Sequence, residues 1–120
     1  MMDQSALNSE FWHAMERLIS EAEIVIDRPK NSTHPRFPDL TYPQDYGYLT
    51  QTRAMDGDAV DVWIGSRSGS KLDAIICTVD LIKRDVEVKL LIACTEEDQS
   101  SIHAFHNNSE YMKGILISRE

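Results

Sequence analysis

The sequence predicts a mainly β domain of α+β class: a small, mostly antiparallel barrel of five or six strands, closed or nearly closed, with a helix at its start and another near its end. Three observations carry this. Apolar residues recur at helical spacing near the two ends of the chain. Between them, short β-branched and aromatic runs alternate with turn residues at hairpin intervals. Sequential hairpins in a short chain leave exposed edges unless the sheet closes, and closure removes them.

Each element follows in order. Residues 5–22 repeat Leu7, Phe11, Met15, Leu18, Ile19 and Ala22 at spacings of three and four, with Ser5, Asn8 or Ser9 as the candidate cap. Ile24-Val25-Ile26 is a short strand. All four prolines, Pro29, Pro35, Pro38 and Pro43, fall within residues 28–45, where each removes a donor and constrains its predecessor. Phe37, Leu40 and Tyr42 give that segment something to pack, so it reads as an ordered, extended arm. Tyr46–Thr52 and Val60–Ile64 form a hairpin around Arg53–Ala59, where Asp56-Gly57 supplies the turn. Asp73–Lys83 and Val86–Cys94 form a second hairpin across Arg84-Asp85. Thr95 then caps a helix with Asp98 three residues on and Glu96-Glu97 in its first turn. That helix ends near Asn107-Asn108, and Gly114–Ser118 is the last strand.

The bulk properties bound the function. At 120 residues, 42% hydrophobic and 27% charged, the chain is one domain, 1–120, with a real core. A net charge of −8 argues against nucleic acid as a partner. An anionic substrate suits such a chain only if metal ions reverse the local field. Neither a membrane-length apolar run nor a secretory pattern at Met1–Gln4 is visible. Cys77 and Cys94 lie inside apolar runs and read as buried free thiols, which points to the cytoplasm.

The densest chemistry lies in Met55–Ile64, where Asp56, Asp58 and Asp61 fall within six residues. Acids so crowded repel one another, and a hard cation with a taste for oxygen ligands resolves the conflict. Asp56 and Asp58 sit on the turn and Asp61 opens a strand, so all three can face one mouth of the barrel. The spacing is not that of an EF-hand: counting from Asp56, its glycine position falls on Asp61 and its bidentate glutamate on Arg67. Glu87 and Lys89 share one face of a strand, just after Asp85, opposite Val86, Val88 and Leu90. Tyr42, Tyr46 and Tyr48 crowd one short segment, and tyrosine hydroxyls can donate to phosphate. His103 and His106 lack a third ligand nearby and read as surface residues. Gly65–Lys71 has three residues between its glycines and no Gly-Lys-Ser/Thr, so it is not a phosphate loop.

Tyr42-Pro43-Gln44-Asp45-Tyr46-Gly47-Tyr48, followed by Asp56-Gly57-Asp58-Ala59-Val60-Asp61-Val62, resembles the signature of the soluble family I inorganic pyrophosphatases in both blocks and in their spacing. With Lys89 and its flanks the resemblance covers about residues 23–118, so the helix at 5–22 lies outside it. It implies a five-stranded, OB-like closed barrel with helices outside, and hydrolysis of pyrophosphate to two phosphates by a Mg2+-activated water. Mn2+ would be the expected substitute. By the same resemblance Asp56, Asp58, Asp61, Asp85 and Glu87 hold metal, Asp58 is the candidate base, and Tyr46 and Lys89 match active-site residues. Asp27 sits where the family has a glutamate.

The departures fall on the phosphate-binding side. The family's lysine and arginine there have no aligned counterpart, leaving Arg36, Lys30 or Arg28 as stand-ins, with Tyr42 beside them. Asn107-Asn108 replaces a Tyr-Lys pair, for which Lys113 or Tyr111 could compensate. Two alternatives therefore stay open: a hydrolase of a nucleotide-linked diphosphate, and a degenerate relative that binds metal or a partner. Members of the family commonly assemble, so a homo-oligomer is expected, with the adjacent Phe11 and Trp12 at its interface; a monomeric mass by light scattering would exclude it.

Overall fold

The computed structural model describes residues 4–119, with side chains from residue 8 onward. Eight elements follow one another: α1 (Gln4–Ser20), β1 (Ile24–Arg28), β2 (Asp45–Leu49), β3 (Asp61–Ile64), β4 (Leu72–Asp80), β5 (Asp85–Ile92), α2 (Glu96–Phe105) and β6 (Met112–Ser118). The expected elements are all present. Asn8 and Ser9 lie inside α1 and cap nothing. The side chains of Ser5 and Leu7, and the domain's residues 1–3 and 120, lie outside the described residues.

The strands form one sheet in the order β1-β2-β3-β5-β4-β6. Every pairing is antiparallel except β3 with β5, which run parallel with Val62 opposite Leu90 and Ile64 opposite Ile92. The expected closed barrel is corrected here: among the described residues the sheet is open. β1 pairs only with β2 and β6 only with β4, and no strand remains to join these two edges.

Alternation along the strands sends side chains to opposite faces, and a helix covers part of each. On one face α1 brings Trp12, Met15 and Ile19 onto Leu49, Val62, Ile75, Leu90 and Ile92. On the other, Ile102 of α2 and Tyr42 cover Trp63, Ala74, Ile76 and Leu91. Beyond the reach of α1, Val79, Val86, Val88 and Ile115 stay exposed, Val86 at 68% and Ile115 at 63%. No described helix is long and apolar enough to cross a membrane.

Local chemistry sets the ends of α2. Thr95 accepts from the Asp98 N–H at 3.0 Å, and Asp98 accepts from the Thr95 N–H at 3.0 Å, a reciprocal capping box. Asp98 also takes Ser66 N–H at 2.8 Å and the buried Gln44 amide at 2.9 Å. Burial pushes its carboxyl up, but the donors from Ser66 and Thr95 prevail and hold it below the usual carboxylate range.

His106 is not at the surface, which corrects the sequence reading; His103 is exposed. The turn ending α2 lays His106 against Trp63, whose indole N–H donates to Nε2 at 3.1 Å. Burial first, then Lys89 and His103, push its pKa down to about 3. A folded value below the unfolded one means the unfolded chain takes the proton first. The contribution to stability is therefore complete above about pH 6.5 and lost as pH falls towards 3, at up to about 1.4 kcal/mol per pH unit. Urea unfolding between pH 7 and pH 5 should show this decline, and His106→Gln should flatten it. An unchanged slope in the variant would assign the decline elsewhere.

The proline-rich segment is ordered but not extended. Asn31 N–H bonds Tyr42 O at 2.9 Å, Tyr42 N–H bonds Ser32 O at 2.9 Å, and His34 N–H bonds Leu40 O at 2.9 Å. With the Thr33–Thr41 bridge these fold it back on itself as a narrow loop. Cys94 is buried and Cys77 half-buried, both free; burial, then Asp98 and Asp73, push the Cys94 thiol up to about 12, which leaves it unreactive.

Candidate metal centre

The site lies on the α2 face, where β2, β3 and β5 meet. Gly47 lets β1 and β2 approach: a Cβ there would sit 1.8 Å from the Val25 carbonyl oxygen. β2 thereby places Tyr46 beside Trp63, and its hydroxyl donates to Asp61 Oδ2 at 2.6 Å. The parallel register sets Asp61 alongside Lys89. Lys89 Nζ donates to Asp61 Oδ2 at 2.8 Å, to Tyr46 Oη at 2.7 Å and to Glu87 Oε2 at 3.1 Å. At 5% exposure it is a buried cation with three oxygen partners.

These contacts set the protonation of the cluster. Burial disfavours the ammonium of Lys89, but Tyr46 and Asp61 outweigh it and its pKa lies above the ordinary lysine value. Burial, with Asp61 adding and Lys89 opposing, moves the Tyr46 phenol above its usual range. Tyr46 therefore stays a neutral donor. Burial also raises Glu87, against the pull of Lys89, and Asp61 and Asp85 add to the rise.

The N-terminal half of β5 extends past the end of β3, which pairs with it only from Leu90 onward. The loop between β2 and β3 lies beside this free half. There Asp56, Asp85 and Glu87 each bring a carboxylate oxygen within 4.8 Å of the others. Asp58 N–H donates to Asp56 Oδ1 at 3.0 Å, and Ala54 N–H bonds Asp58 O at 2.7 Å, so the turn is fixed from within. Gly57 supplies its positive φ of 90°. The group offers oxygen ligands only, which suits a hard divalent cation such as Mg2+.

The sequence-predicted residues thus divide. Asp56, Asp85 and Glu87 form the close group; Asp61 is joined to it through Lys89. Asp58 is exposed on the turn and stands outside the group. Tyr42 is buried, its ring 5.5 Å from Tyr46, and its hydroxyl accepts from Arg28 at 2.8 Å. Burial raises the Tyr42 phenol, and Arg28 works against it. Arg36 and Lys30 are exposed on the loop, and Asp27 is exposed on β1. The Arg28–Tyr42 bond, which ties β1 to the proline loop over the site, carried no signal in the sequence beyond the loop's basic character.

No family model and no curated protein matches the sequence. Solved structures do match the fold. An inorganic pyrophosphatase from Helicobacter pylori superposes with a TM-score of 0.59 at 17% identity, over 80% of this chain and 83% of that one. One from Coxiella burnetii gives 0.59 at 17% identity, over 79% and 84%. One from Thermus thermophilus gives 0.54 at 17% identity, over 80% and 81%. The backbone therefore has the fold of the inorganic pyrophosphatases, with the acidic group and Lys89 at the end of its sheet.

Proposed function

We propose that the chain hydrolyses inorganic pyrophosphate to two phosphates with a divalent cation, Mg2+ by preference and Mn2+ as a substitute. One observation carries this: an all-oxygen group, Asp56, Asp85 and Glu87, stands next to a buried lysine on a pyrophosphatase fold. These three residues, with Asp61 and Asp58, would hold the cation. When bound, it neutralises the anionic substrate and lowers the pKa of a water.

The remaining roles belong to the chain's own groups. Asp58, exposed at the mouth, accepts the proton of the attacking water; a P–O bond to water forms as the bridging P–O bond breaks, releasing the second phosphate. Lys89 and Tyr46 keep their protons and offer positive charge and a donor to the phosphoryl oxygens. Arg36 on the loop and Arg28, held by Tyr42, supply charge from the other side. A cytoplasmic setting accompanies this reading, supported by the two free thiols. So does assembly with a second copy, supported by the apolar face that α1 leaves uncovered.

Phosphate release from pyrophosphate should require Mg2+, be restored in part by Mn2+, and stop with EDTA. No release with either metal would overturn the proposal.

A further inference from the structure

A cleft of about 630 Å³ opens at the N-terminal end of α2, within the range of about 300–1,000 Å³ usual for small-molecule sites. It is not part of the metal centre. β3 starts beside that centre at Asp61 and ends at Ile64, and the cleft lies past this far end. Gln44 lines it at only 8% exposure. The Gln44 Nε2 donates to Asp98 Oδ1 at 2.9 Å, and the ionised carboxylate, an acceptor only, fixes which end of the amide faces it. The other end, Oε1, has no hydrogen-bond partner among the described residues, yet no fully buried polar side-chain atom among them is left unpaired. Oε1 is therefore the part of Gln44 that meets the cleft, a neutral acceptor open to a donor.

Charges of both signs surround this oxygen. Lys30 comes from the proline loop, Arg67 from the loop after β3, and Glu96 and Glu97 from the first turn of α2. Opposite charges on one surface attract and ordinarily pair. Here Lys30, Glu96 and Glu97 join no ion pair among the described residues, and Arg67 reaches only Asp73, at 3.5 Å. The cleft keeps the two signs apart. Asp98 adds nothing to a ligand, because Ser66, Thr95 and Gln44 already occupy its oxygens. The capping box likewise satisfies the helix end, so the free chemistry of the cleft lies in its side chains.

We infer that the cleft binds a short zwitterionic peptide of dipeptide length. Its amide N–H donates to Gln44 Oε1, its ammonium lies against Glu96 and Glu97, and its carboxylate lies against Lys30 and Arg67. A metal ion or a phosphate matches only one of the two signs. A free α-amino acid lacks the neutral donor between its charges. This binding is independent of the diphosphatase reading.

Four probes titrated into the 15N-labelled full chain test it, read by NMR at the Gln44 side-chain amide and the Ser66 N–H. Glycylglycine should shift both signals saturably. Acetylglycine lacks the ammonium, glycylglycinamide the carboxylate and glycylsarcosine the amide N–H. Each should bind about 10-fold more weakly, roughly the value of one such hydrogen bond. Lys30→Gln, on an exposed loop, should narrow the preference for glycylglycine over glycylglycinamide and keep the preference over acetylglycine. Gln44 and Ser66 signals indifferent to glycylglycine overturn the site. So do four probes that bind alike, which marks a general polar groove. A Lys30→Gln protein that binds glycylglycine more tightly than the parent also overturns it, since Lys30 itself is then the occupant.

Discussion

Phosphate release from pyrophosphate should fall by roughly 100-fold or more in Glu87→Gln, with weakened Mg2+ binding, because a neutral amide then replaces one charge of a three-carboxylate cation group. Asp56→Asn should behave the same way. Asp58→Asn provides the contrast. Its carboxylate stands outside the close group, so its loss should lower kcat by roughly 100-fold or more, as for a removed general base, while Mg2+ affinity falls less than in Glu87→Gln. Calorimetric Mg2+ titration beside steady-state kinetics separates the two cases. Mg2+ bound as tightly by Glu87→Gln as by the parent would remove that residue from the metal centre. An Asp58→Asn protein as active as the parent would remove the base assignment.

Lys89→Met should destabilise the metal-free protein by about 3–5 kcal/mol. Lys89 is buried and is the cation shared by Asp61 and Glu87, at 2.8 and 3.1 Å. Methionine keeps most of the volume but leaves two partly buried acids facing each other and the Tyr46 hydroxyl without its donor. Part of the loss should return with Mg2+, which restores positive charge beside the same carboxylates, so the stabilisation by Mg2+ should be larger in Lys89→Met than in the parent. Urea unfolding in EDTA and in saturating Mg2+ measures both. A loss under about 1 kcal/mol in EDTA would mean that Lys89 does not compensate these acids.

What the sequence by itself determined is what depends on near neighbours. The Thr95–Asp98 spacing announced a capping box because both partners lie within one helical turn. Alternation in Val86–Leu90 put Glu87 and Lys89 on one face because the period of a strand is fixed by its backbone. Asp56-Gly57 marked a turn because glycine adopts a positive φ freely, and the two signature blocks pointed to the fold that the solved structures share. Tertiary structure alone decided the rest. The parallel pairing of short β3 with β5 set Asp61 against Lys89 and left the first half of β5 free for Asp56. Strand order left the sheet open, and long-range packing buried His106 under Trp63. The Asp-Gly-Asp turn thus became two things: one acid inside the cation group and one outside it. Their spacing could not separate them, because a turn fixes where two side chains start and the strand beside it decides which of them meets a third.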